Sequence, residues 1–185
     1  RPLPSGEITI LQAKIFFLII FIFSIGISFW LNISFGFITL LYFSINIIYT
    51  FYLKKVVLLD VLSISFGFVL RAIAGAIVIN VKISPWLILC TILLALFLGF
   101  SKRRNEIIVL KENAIKHRKV LEHYSLEFLD QMITIVTSGT IVAYSLYTFY
   151  SNESIYLMLT IPFVIYGIFR YLYLIHEHEL GGHPE

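Results

Sequence analysis

The sequence predicts an all-α polytopic membrane protein, a helical bundle of about six spans. Three observations carry that prediction. Of 185 residues, 59% are hydrophobic and only 14% charged, whereas a soluble domain carries about a quarter charged residues. The mean hydropathy is +0.91. The apolar residues fall in six runs, each near the ~20 residues that a helix needs to cross a bilayer. These runs are continuous rather than alternating, which excludes a closed β-barrel.

The runs cover residues 8–31, 35–53, 56–79, 86–100, 128–150 and 155–174. The fourth is the shortest; it can begin at Ser84, with Pro85 in the first turn, where a missing N–H costs nothing. The single cysteine, Cys90, lies mid-span and reads as a packing residue. The chain opens on Arg1-Pro-Leu-Pro-Ser-Gly6 and closes on Gly181-Gly-His-Pro-Glu185, and reads as one membrane domain (1–185) cut from a longer protein.

Charge gives the bundle a direction. Ten of the fourteen Lys and Arg residues lie at one end, Lys82 alone lies at the other, and Lys14, Arg71 and Arg170 lie within spans. The positive-inside rule then places the Lys54-Lys55 turn and the segment 101–127 in the cytoplasm. The opposite connections, 32–34, 80–84 and 151–154, are too short to build a receptor for an external ligand. The polar residues point instead to a site taking a soluble, anionic substrate from the cytoplasm.

The segment 101–127 begins Ser101-Lys102-Arg103-Arg104-Asn105-Glu106. Guanidinium and ammonium groups grip phosphate oxygens, and Glu106 is placed to hold a metal or orient a hydroxyl. The plain alternative is a set of interfacial anchors, with Lys102 and Arg103 pairing with Glu106 along a helix. Residues 107–127 continue at helical spacing and predict an amphipathic cap over the cytoplasmic mouth.

Two charges stand in the third span. Asp60 and Arg71 are eleven residues apart and share a helix face. Charges within spans face protein or a wet cavity and mark functional sites. At 1.5 Å per residue they lie ~16 Å apart, too far to pair. Asp60 sits near the mouth. Arg71 needs helix carbonyls, a buried carboxylate from a span outside this piece, or a ligand. Ser63, Gly67 and Ala74 on that face allow close helix packing or leave room for a ligand. Arg170, near the cytoplasmic end of the last span, either snorkels to the headgroups or faces phosphate. His176, His178 and His183 fit no zinc spacing and read as solvent-facing.

Several stretches together resemble the UbiA prenyltransferase superfamily: Arg1-Pro-Leu-Pro-Ser-Gly6, Tyr52-Leu-Lys-Lys55 leading to Leu59-Asp60, and Gly67-Phe-Val-Leu-Arg71-Ala-Ile-Ala-Gly75. Within it the chain is similar to the decaprenyl-phosphate phosphoribosyltransferase branch. That likeness rests on Ser84-Pro-Trp-Leu, Ser101-Lys-Arg-Arg-Asn-Glu106 in place of a DxxxD motif, His117-Arg-Lys-Val-Leu121, Phe169-Arg-Tyr-Leu172 and the closing Gly-Gly-His-Pro-Glu185.

The resemblance implies nine transmembrane helices around a lipid-open cavity, of which this chain supplies the third to eighth. It implies transfer of 5-phosphoribose from phosphoribosyl pyrophosphate to a polyprenyl phosphate in a bacterial-type cytoplasmic membrane, with Mg²⁺ as cofactor and pyrophosphate released. The principal Mg²⁺ ligands belong to an NDxxDxxxD motif just upstream of Arg1, so the piece alone is expected to be inactive. Carried over by motif, Lys102, Arg103 and Glu106 fall at the donor site with Lys55 and Asp60 opposite. Asp60 and Glu106 take the catalytic roles, Glu106 is a possible metal ligand, and Arg1 and Arg170 are further substrate-binding candidates. A homo-oligomer is compatible with all of this. The competing readings are a prenyltransferase acting on an aromatic acceptor, and a transporter or scaffold subunit. Paired broken helices in two repeated halves would mark a transporter, and no such pair is evident.

Overall fold

Asn32 ends one helix and starts the next. Its extended backbone breaks the chain after α1 (Ile10–Leu31), and its side chain accepts from the Ser34 and Phe35 N–H groups at 2.8 and 3.3 Å to cap α2 (Ile33–Phe51). A one-residue connection therefore makes the first helical hairpin. This computed structural model describes residues 9–110, 118–150 and 155–177. Thr9 opens α1 with a capping box shared with Gln12.

A 3-10 turn, Leu53–Lys55, leads from α2 to α3 (Leu59–Val78) through Leu58, whose φ of 67° is left-handed. Asn80, φ 56°, turns the chain after α3; asparagine adopts that region at lower cost than leucine. Next come α4 (Pro85–Leu110), a 3-10 turn at Lys119–His123, α5 (Leu126–Tyr150), a 3-10 turn at Ile155–Thr160, and α6 (Ile161–Glu177). Among the described residues, six helical stretches are long and apolar enough to cross a membrane.

One boundary differs from the sequence reading. The fourth span is expected to stop at residue 100, with a separate cap over 101–127. The structure carries α4 unbroken to Leu110. Hydropathy ends at Phe100, but Lys, Arg and Glu are good helix formers, and Arg103 pairs with Glu106 one turn on. Beyond α4, residues 111–117 lie outside the described part, and 119–123 form a short 3-10 turn rather than a long amphipathic helix. The last span starts as 3-10, and its α-helix begins at Ile161. Pro162 is tolerated in that first turn, where no intrahelical donor is needed.

Each helix packs on its neighbour in sequence, with the most extensive contact between α4 and α5. The core lies toward the basic end, where Val61, Phe97, Phe100, Val120, Leu121 and Leu129 are buried together. Close approach of α3 and α4 depends on Gly99: a Cβ there would stand 2.5 Å from Val61 Cγ1. Ser65 crosses the same interface, donating to the Ile92 carbonyl at 3.0 Å. By contrast, Ser28 is the one buried residue of α1. Apolar helices in lipid gain nothing by hiding such surface, so α1 is free to face hydrocarbon or further helices.

Candidate functional site

Three basic residues in a row leave α4 in three directions, because successive residues on a helix are turned by about 100°. Lys102 points outward and is exposed. Arg103 turns into the bundle and is only 1% exposed. Arg104 turns toward the last two helices, where its Nε donates to Asp130 at 2.6 Å and its Nη1 to the Ile175 carbonyl at 3.3 Å. His176 lies 3.5 Å from the same Asp130.

Arg103 is the hub. Its Nε donates to Asp60 Oδ2 and its Nη1 to Glu106 Oε2, each at 2.8 Å. Asp60, fully buried, also accepts from the Tyr124 hydroxyl at 2.7 Å. Arg118 stands 3.7 Å from Asp60 Oδ2 and donates to the Tyr49 hydroxyl at 3.4 Å. Two carboxylates face two guanidinium groups, so the cluster carries no net charge. Burying either partner alone costs several kcal/mol; the hydrogen bond from Tyr124 occupies the other Asp60 oxygen, and the Arg118 guanidinium adds its charge at 3.7 Å. Burial pushes the Tyr124 phenol pKa up, and its bond to Asp60 adds to that, so the hydroxyl keeps its proton as a donor.

The structure thus brings together Asp60, Arg103 and Glu106. Expected as a carboxylate open to the mouth, Asp60 is instead sealed beneath Arg103, Arg118 and Tyr124. Lys55 lies at the same end, exposed, in a turn that packs against Lys119–His123. Among the described residues neither Lys55 nor Lys102 has an ion-pair partner. Arg170 stands apart on α6, exposed and 5.4 Å over the Tyr173 ring. Arg1 lies outside the described residues. Among the described residues Arg71 meets a partner that the sequence reading did not name. It donates to the Tyr42 hydroxyl and lies 5.0 and 5.3 Å over the Tyr42 and Phe68 rings. Sequence reasoning missed Tyr124, Arg118 and Tyr49, because bonds between residues more than sixty positions apart leave no local pattern.

The residues present do not by themselves make a Mg²⁺ site. Among the described residues no group of three or more His, Cys, Asp and Glu side chains is placed to hold a metal. Both oxygens of Asp60 are engaged by the cluster. Glu106 has one oxygen on Arg103 and can offer the other. Mg²⁺ is commonly held through one or two carboxylates plus substrate phosphates, and Glu106 supplies at most one of these.

A family model, the UbiA prenyltransferase family, matches residues 1–182. The chain belongs to this family. Three curated relatives in it are each named decaprenyl-phosphate phosphoribosyltransferase. The relative from Mycolicibacterium smegmatis is 29% identical over all of this chain and 61% of its own length. The relative from Corynebacterium glutamicum is 28% identical over all of the chain and 58% of its length. The Mycobacterium tuberculosis relative is 26% identical over all of the chain and 62% of its length. The chain thus spans about three fifths of the curated UbiA relatives that it matches. It is a helical, multi-pass membrane protein of a transferase family.

Proposed function

We propose that the whole protein moves 5-phosphoribose from phosphoribosyl pyrophosphate onto a polyprenyl phosphate, at the basic end of the bundle and facing the cytoplasm of a bacterial-type cell. The observation that carries this reading is the divergence of Lys102 and Arg103. Arg103 is consumed in holding Asp60 and Glu106. Lys102, on the same helical turn, remains exposed beside them. The relatives' names supply a phosphoribosyl group as what is moved and decaprenyl phosphate as its acceptor.

In the reaction, the bond from ribose C1 to a pyrophosphate oxygen breaks, and an acceptor phosphate oxygen bonds to C1. Lys102 and Lys55 bind donor phosphates through charge-assisted hydrogen bonds. Glu106, fixed by Arg103, orients the ribose or contributes one ligand to the metal. Asp60 and Arg103 act as positioning residues that hold α3 to α4 beneath the site. The acceptor phosphate is ionised at neutral pH, so no strong general base is required. Mg²⁺, when bound, would neutralise charge on the leaving pyrophosphate. Arg1 and Arg170 remain candidates for outer phosphate contacts.

The test uses full-length protein with radiolabelled phosphoribosyl pyrophosphate and a polyprenyl phosphate. Mg²⁺-dependent appearance of label in the lipid phase is expected. Label passing from a prenyl diphosphate to an aromatic acid, with none reaching polyprenyl phosphate from the ribosyl donor, would sink the reading.

A further inference from the structure

Arg71 is a cation in mid-span, and among the described residues no carboxylate lies within ion-pair distance of it. Its hydrogen-bond partner, Tyr42, is a neutral phenol. A guanidinium at that depth is costly, and it is retained where it meets an anion or a wet cavity.

The seam between α2 and α3 opens on both sides of the Arg71–Tyr42 contact. Toward the basic end lies a cavity of about 210 Å³ whose walls include Asn46, Tyr49, Ser63 and Gly67. That is the volume of about seven waters at ~30 Å³ each, ample for a tetrahedral anion. Toward the other end lies a second cavity, of about 300 Å³, walled by Phe35, Ile38, Leu70, Ala74 and Gly75. Arg71 and Tyr42 border both. The first cavity has hydroxyls and an amide set among apolar walls that include Ile45, Ile64 and Phe68, and is the more polar of the two; the second is lined almost wholly by hydrocarbon.

The order of the two matters. A helical side chain leans toward its helix N-terminus, which for α3 is the basic end, so the Arg71 guanidinium is directed to the polar cavity. At the far end of that cavity, Tyr49 receives Arg118. A polar chamber with a guanidinium near each end, continued by an apolar one, has the chemistry of a phosphate head followed by a hydrocarbon chain.

We propose that the α2–α3 seam is a binding site for a phosphate-headed membrane lipid, with the phosphate in the polar cavity on Arg71 and Tyr42 and the chain in the apolar cavity along Leu70 and Ala74. The site adjoins the Asp60–Arg103 cluster at its basic end, where Arg118 meets both Tyr49 and Asp60, but its anion-binding residue, Arg71, lies ~16 Å along α3 from Asp60, and it requires no transfer reaction.

Native mass spectrometry of the full-length protein tests it, with decaprenyl phosphate, phosphatidate, phosphatidylcholine and inorganic phosphate as separate probes. Wild type is expected to retain the two phosphate-monoester lipids in preference to phosphatidylcholine. Arg71→Gln should weaken both at least about tenfold, the weight of one charge-assisted hydrogen bond. Gly75→Leu gives a second route that spares the fold, since a Cβ there meets nothing within 4 Å. Its side chain should fill the apolar cavity and weaken both lipids. Equal retention of both lipids by wild type and by either folded variant overturns the site. Equal retention of phosphatidylcholine, a diester, removes the preference for a phosphate-monoester head and overturns the proposal. Inorganic phosphate held alike by wild type and Gly75→Leu, with no lipid retained, shows an anion site without a lipid and overturns the proposal.

Discussion

The hydroxyl of Tyr124 joins Asp60 to the left-handed turn at Leu58. It donates to Asp60 Oδ1 at 2.7 Å and accepts from the Leu58 N–H at 2.8 Å. A non-glycine residue with φ of 67° carries a backbone cost of order 1–3 kcal/mol. One phenol thus holds both the costly turn that starts α3 and the buried carboxylate two residues later.

Tyr124→Phe should therefore lower stability by about 1–3 kcal/mol, because it orphans a buried acceptor and a backbone donor. A pH signature accompanies it. The phenol holds its proton more tightly in the fold than in the unfolded chain, so its contribution is complete below the unfolded value of about 10 and is lost as pH rises above that. Thermal unfolding of the full-length protein in detergent at pH about 8 and about 11 should show a steeper loss for wild type than for Tyr124→Phe. Parallel losses would exclude this role.

The Asp60–Arg103 pair makes a second prediction. Asp60→Ala leaves buried Arg103 with Glu106 alone as its ion-pair partner among the described residues, and should cost about 3–5 kcal/mol. Asp60→Ala combined with Arg103→Met removes the stranded charge and should recover a large part of that loss. Additive losses in the double variant, measured by the same unfolding assay, would contradict the pairing.

Gly99→Ala should destabilise by about 1–3 kcal/mol by overpacking α3 against α4. The offending atom is Val61 Cγ1, on a fully buried side chain. Val61→Ala in the same protein should relieve the clash, so the two substitutions together should cost less than their sum. Unchanged melting of Gly99→Ala would show that the interface is looser than the geometry requires.

For the proposed transfer, Lys102→Ala should reduce turnover at least about tenfold with melting changed by less than ~0.5 kcal/mol, as for other exposed positions. Glu106→Gln should reduce turnover similarly. Wild-type rates in both variants of the full-length protein would remove these residues from the site.

Most of the bundle could be read directly. The six apolar runs became six helical stretches, and Pro85 stands first in α4 as its chemistry requires. The fourth helix runs ten residues beyond its apolar stretch, since hydropathy reports where lipid contact ends, whereas helix formation continues through any run of good formers. In the candidate site, Asp60, Arg103 and Glu106 were each picked out from the chain, but their connection was not.

By itself the sequence determined the membrane-spanning class, the number of helices and the polarity of their charge, because these follow from composition and from periodicity within one helix. The tertiary structure decided which of Lys102, Arg103 and Arg104 is buried, what Arg71 touches and why Tyr124 matters. Those outcomes depend on how each helix is rotated about its axis by its neighbours, and on partners 29 to 64 residues away. No local pattern encodes that rotation. It is settled only when Gly99 meets Val61 and the buried charges of α3 and α4 must satisfy one another.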